Sequence, residues 1–97
     1  MIDPAPPETF NAIFNYKAKK VPFVLFENVL LYDALVEQNR ETACAIMSKA
    51  LAWLEEQKLS HELINLYDNT DHSTGNGQVL VKLRNKSTAI MLKLALN

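Results

Sequence analysis

The stretch Glu41 to Lys58, ETACAIMSKALAWLEEQK, is the strongest constraint on the fold of this chain. Ala43, Met47, Ala50 and Leu54 recur at spacings of four, three and four, which stacks them along one face of an α-helix. Ile46 and Leu51 widen that stripe, and Ser48, Lys49, Glu55 and Glu56 occupy the opposite side. No Gly or Pro interrupts the run, and Ala, Leu, Met, Glu and Lys are strong helix formers. The sequence therefore calls for a central helix with one buried face, and the other elements must supply what that face packs against.

The chain before it reads in three pieces. Residues 1–7, MIDPAPP, hold three of the four prolines and are expected to form a flexible arm. Residues 8–18 place Phe10, Ile13, Phe14 and Lys17 at helical spacing, and Pro7 and Glu8 suit a helix start, which predicts a short amphipathic helix. Residues 21–26, VPFVLF, are apolar, β-branched and aromatic, and are read as a short strand. The competing reading starts a helix at Pro22 and runs it through Val36. Asn28 then suits the N-cap of a helix over residues 29–38, with Asn39 marking a break before the central helix. One long helix over residues 29–58 is the alternative.

After Lys58 the period changes from helical to alternating. His61 to Tyr67 and Val79 to Arg84 read as two strands of an antiparallel hairpin. Between them lies DNTDHSTGNG, which holds both glycines of the chain and ends in the Asn76-Gly77 turn signal. Without an apolar anchor it is expected to be a mobile loop. Ser87 is a candidate N-cap for a final helix over residues 88–96, with Ile90, Met91 and Leu94 facing the core and Lys93 facing water. A third strand turning back at Asn85-Lys86 is the alternative. The expected fold is a single small α+β domain over residues 8–97. Three to four helices, one of them long and central, pack on a short antiparallel hairpin or three-stranded sheet.

Composition narrows the function classes. Apolar residues are 48% and charged residues 22% of the chain, which excludes a disordered or fibrous protein. No stretch reaches the roughly 20 apolar residues of a membrane helix. MIDPAPPETF lacks the basic-then-apolar order of a secretory signal, and Cys44 is the single cysteine, so no intrachain disulfide can form. Both point to a reducing, cytoplasmic setting.

No motif carries catalysis or a cofactor. With Gly75 and Gly77 the only glycines, neither a phosphate loop nor a dinucleotide fingerprint can exist. His61, His72, Asp68 and Asp71 invite a metal reading. The twelfth residue from Asp68 is Val79 and from Asp71 is Lys82, so the closing Glu of a calcium loop is missing. One cysteine and two scattered histidines do not make a zinc set. Cys44, near the start of the central helix with no histidine expected beside it, reads as a small buried hydrophobe. The expectation is no enzyme, no metal and no cofactor.

Charge distribution is the remaining feature. Residues 21–77 carry nine acids against Arg40, Lys49 and Lys58, a net of −6. Residues 78–97 carry Lys82, Arg84, Lys86 and Lys93 with no acid, a net of +4. Lys82 and Arg84 share one face of the second strand. Trp53 sits on the flank of the central stripe, where it serves either as a core-edge aromatic or as an interface anchor. The partner-binding candidates are therefore Lys82, Arg84, Lys86, Lys93 and Trp53. They point to a non-enzymatic protein-interaction module, an adaptor, inhibitor or self-associating subunit, whose partner is another protein or a second copy. The alternative is a nucleic-acid-binding domain using the basic sheet face. Against it stand a pI near 6.1 and the lack of aromatics on that strand.

Overall fold

A computed structural model of the chain describes residues 8–21 and 29–96. The fold is α+β: a three-stranded antiparallel sheet packed on two α-helices. The elements in chain order are strand β1 (Phe10–Lys17), helix α1 (Val29–Glu56), a 3-10 turn (Ser60–Glu62), strand β2 (Leu63–Asp68), strand β3 (Asn76–Leu83) and helix α2 (Lys86–Leu96). The sheet order is β1-β3-β2, so the last strand in sequence lies in the middle.

The sheet has one buried face. β3 places Val79, Val81 and Leu83 on it, all fully buried. β1 sets Phe14 against Val79, Ala12 against Val81 and Phe10 against Leu83. Ala43, Ala50 and Leu54 from α1 and Ala89 and Leu92 from α2 complete this core. The two alanines of α1 leave room for the helix to approach the sheet closely.

The segment expected to be a helix over residues 8–18 is strand β1. FNAIFNYK satisfies both periods, because Phe10 and Phe14 are four apart and also both even-numbered. The strand prevails because every even residue then buries against a β3 partner. As a helix it would leave β3 with one unpaired side, and unpaired backbone groups are costly when buried.

The two helices expected to meet at a break at Asn39 are one continuous α1 of 28 residues. Asn39 is 1% exposed, and its side chain serves neighbouring segments instead of competing for its own helix backbone. With β1 a strand and α1 undivided, the described residues hold two α-helices, not the three to four expected. The strand expected over residues 21–26 lies outside the described residues except Val21, which is buried and unassigned to any strand. The arm expected over residues 1–7 also lies outside them.

α1 ends in a Schellman arrangement. Leu59 N–H donates to Leu54 O at 2.7 Å and Lys58 N–H to Glu55 O at 3.0 Å, with Lys58 in the left-handed region at φ 60°. Leu51, expected to widen the buried stripe, is 43% exposed. Cys44, expected to be buried, is exposed.

The hairpin is present, with a bulge between Leu63 and Asn65. The extra residue leaves Leu63 and Leu66 half-buried on the core side and turns Ile64 outward, which shifts the simple alternation by one. The connection between β2 and β3 is tied down. Ala18 N–H donates to Gly75 O at 2.9 Å and Val21 N–H to His72 O at 2.8 Å. Asp71 accepts from Ser73 N–H at 3.0 Å and Ser73 Oγ at 2.6 Å, which holds its carboxyl below the usual range. Polar residues that offered no apolar anchor thus anchor the connection by hydrogen bonds.

α2 begins two residues earlier than expected, with Asn85 as its cap accepting from Ser87 N–H at 2.9 Å. Its faces are the reverse of the expected ones. Thr88, Ala89 and Leu92 are buried, whereas Ile90 is 51%, Met91 46% and Leu94 72% exposed. The helix is apolar nearly all round, so its own periodicity does not select a face. Leu92 wins because it lies one turn from both Thr88 and Leu96, on the side that meets the sheet.

Candidate functional site

α2 crosses beside β1, an edge strand of the sheet among the described residues, and the two enclose a groove of ≈560 Å³. Phe10 and Ile13 line it from the strand, and Ile90 and Leu94 line it from the helix. Lys86 and Lys93, seven residues apart on α2, come round to the same face two turns apart and supply the only charges along it among the described residues. Lys93 sends its ammonium across the edge of β1. The Nζ lies 4.8 Å from the Phe14 ring centroid and donates to the Ile13 carbonyl oxygen.

The face of the sheet turned away from the helices carries a second surface. Ile13 of β1, Leu80 of β3 and Tyr67 of β2 are register partners and form one row across all three strands. Ile13 and Tyr67 are exposed and Leu80 is half-buried. The adjoining row is Asn11, Lys82 and Asn65, and Lys82 Nζ lies 5.6 Å from the Tyr67 ring centroid.

The five residues singled out from the sequence are therefore distributed over three places. Lys86 and Lys93 meet in the α2–β1 groove. Lys82 lies on the open sheet face with Tyr67. Arg84 is exposed one residue past β3, its backbone N–H bonded to Glu62 O at 2.9 Å. Trp53 is half-buried on α1 against the core, in the helical layer. Ile13, Ile90, Leu94 and Tyr67 were not singled out by sequence reasoning. The alternation of Phe10, Ala12, Phe14 and Tyr16 with Asn11, Ile13, Asn15 and Lys17 is the signal that would have placed Ile13 on the outer face.

A polar depression of ≈660 Å³ lies at the β2–β3 connection, between Asn15, Asn69, Asp71, His72 and Gln78. Its titratable groups already have partners. Asp71 is held by Ser73, and Asn39 Nδ2 donates to His72 Nδ1 at 2.9 Å. Beside it the Tyr16 hydroxyl bonds Asn39 O at 3.2 Å and Thr70 Oγ1. Burial raises the Tyr16 phenol above its ordinary value of 10.0, opposed by the Thr70 bond and aided by the charge of Asp68.

Among the described residues no group of three or more His, Cys, Asp or Glu is placed to hold a metal ion. Among them, too, no helix is long and apolar enough to cross a membrane. No protein-family model, curated protein or solved structure matches the chain.

Proposed function

We propose that this chain is a non-enzymatic protein-interaction module that docks its partner on the outer face of α2 and the adjoining groove. One observation carries the reading. α2 buries Ala89 and Leu92 on one side while Ile90, Met91 and Leu94 stand in water on the other. A helix apolar all round is the pattern of a helix covered on both sides. Burying a side chain of this size is worth roughly 1.5–3 kcal/mol, so three of them together supply a substantial driving force for association.

The partner is another protein or a second copy of this chain. The test compares the wild type with an Ile90→Gln/Leu94→Gln double variant whose circular dichroism and melting temperature match it. Light scattering across a wide concentration range detects self-association. Reconstitution from purified components detects a binary complex with a captured protein. The expected result is one of these assemblies in the wild type and its loss in the variant. An assembly that the double variant forms equally well would overturn the reading.

A nucleic-acid reading has one observation in its favour, the exposed Tyr67 ring with Lys82 above it and amide side chains alongside. Labelled single- and double-stranded oligonucleotides titrated at low salt test it. Binding with a steep salt dependence, lost in Lys82→Glu/Arg84→Glu, would replace the protein-interaction reading with this one.

A further inference from the structure

We infer that the α2–β1 groove takes an extended peptide segment that carries both apolar and carboxylate side chains on the face it turns to α2, added as a fourth strand along the outer edge of β1. This rests on the protein-interaction reading above and names the chemistry of the partner.

β1 pairs with β3 on one side, and among the described residues nothing pairs with its other side. Successive residues of an antiparallel strand turn their N–H and C=O groups to alternate edges. The Ile13 carbonyl is turned outward, where it accepts from Lys93. The backbone groups of Asn11 and Asn15 lie on that same outer edge by alternation. An extended segment laid there would satisfy all of them, the mode by which sheet edges capture peptides. α2 forms the opposite wall, so side chains of the added strand meet Ile90 and Leu94.

Charge decides what the segment is. Among the described residues the groove is lined by Lys86 and Lys93 and by no carboxylate. A second copy of β1 paired across a two-fold axis would bring these lysines against their own counterparts, which opposes it. A segment carrying carboxylates is drawn in.

A lysine on a strand edge ordinarily discourages strand addition. Lys93 is placed to do this in the free chain and to reverse it on binding. Its ammonium holds the Ile13 carbonyl and rests over Phe14. An incoming backbone N–H takes that carbonyl, and the freed ammonium takes a carboxylate in a charge-assisted bond of greater strength. No hydrogen bond is lost in the exchange. A segment without an acid at this position would leave the ammonium unpaired, so Lys93 selects for acidic segments.

The test titrates the full chain with fluorescently labelled eight-residue peptides, the length of β1. One carries valine and glutamate in turn at its α2-facing positions with serine between them, one carries valine and lysine there instead, and one is the valine–glutamate peptide with its edge-facing amides N-methylated. Amide chemical shifts of Asn11, Ile13 and Asn15 locate the binding. Lys93→Met keeps an apolar stem over Phe14 and removes the ammonium, and its melting temperature confirms folding.

The valine–glutamate peptide should bind, shift those three amides, and weaken by about tenfold in Lys93→Met. The other two peptides should not bind. Equal binding of the lysine peptide, indifference to N-methylation, or an oligonucleotide shifting the same amides would overturn the inference. So would the absence of any peptide binding. If that absence accompanies an assembly lost in Ile90→Gln/Leu94→Gln, the edge inference falls and the protein-interaction reading stands. If no such assembly exists either, both fall.

Discussion

The Asn39 side chain pairs with the Lys19 backbone as one peptide group pairs with another. Its Oδ1 accepts from Lys19 N–H at 2.6 Å and its Nδ2 donates to Lys19 O at 2.9 Å. The same Nδ2 donates to His72 Nδ1. One residue of α1 thereby fixes both the segment leaving β1 and the connection between β2 and β3. Asn39→Leu should cost about 3 kcal/mol, since three hydrogen bonds of roughly 1 kcal/mol each are lost in a buried site. That lowers the melting temperature by more than about 10 °C. A thermal melt within a few degrees of wild type would show that the pairing carries little stability.

Gly77 lies opposite Tyr16 in the sheet, and a Cβ there would stand 2.5 Å from two carbons of the Tyr16 ring. Gly77→Ala should therefore displace the ring and break its bonds to Asn39 and Thr70, at a cost of about 1–3 kcal/mol. The damage depends on the ring. In a Tyr16→Ala background the same substitution should be nearly neutral, a coupling that urea denaturation of the four-member cycle measures.

Lys58 occupies the left-handed position that ends α1 and is exposed. A side chain in this region costs roughly 1–2 kcal/mol that glycine does not incur. Lys58→Gly should raise stability by up to about 1 kcal/mol, after the greater chain entropy of glycine in the unfolded state is deducted. The measured quantity is the urea midpoint. A fall would mean that the Lys58 side chain makes a contact worth more than the strain.

The Tyr16 phenol, raised above 10.0 first by burial, gives stability a defined alkaline limit. A group whose folded value lies above its unfolded one contributes fully below the unfolded value and loses its contribution as pH rises through the folded one. The loss begins near pH ~10. Tyr16→Phe should be less stable at neutral pH by about 1–2 kcal/mol, for its hydrogen bonds to Asn39 and Thr70. It should also fall less steeply than wild type above pH ~10. Melting temperatures of both proteins across that interval decide it. Parallel curves would rule out Tyr16 as the titrating group.

What the sequence reveals follows from how many periods each stretch satisfies. The central helix and β3 each satisfy only one, and both are read correctly at their cores. FNAIFNYK satisfies two, and only the pairing needs of β3 choose between them. The bulge at Leu63 and Asn65 is a property of two strands together, so neither sequence shows it alone. Asn39 resembles a helix breaker until its partners at Lys19 and His72, far away in the chain, are in place. The candidate site suffers most, because it combines a strand read as a helix with a helix read half a turn out. Lys86 and Lys93 are visible as charges, but the groove between them exists only when Ile13 and Leu94 face outward.

The orientation of α2 is where these readings divide most sharply. Leu92 is 0% exposed, and Leu94, two residues on, is 72% exposed. Two residues rotate the chain by more than half a turn of helix, so one substitution at each position interrogates opposite faces. Leu92→Lys places a charge in the core cluster that also holds Leu54 and Val81, at a cost of several kcal/mol against a total stability of about 5–10 for a domain of this size. It should unfold the chain. Leu94→Lys exchanges an exposed apolar side chain for a cation near the C-terminus of α2, where the helix dipole favours positive charge. It should change stability by no more than about 0.5 kcal/mol. Circular dichroism melts of the two variants compare them directly. The reverse outcome would turn α2 over, bury Ile90 and Leu94, and remove the surface on which the proposed docking depends.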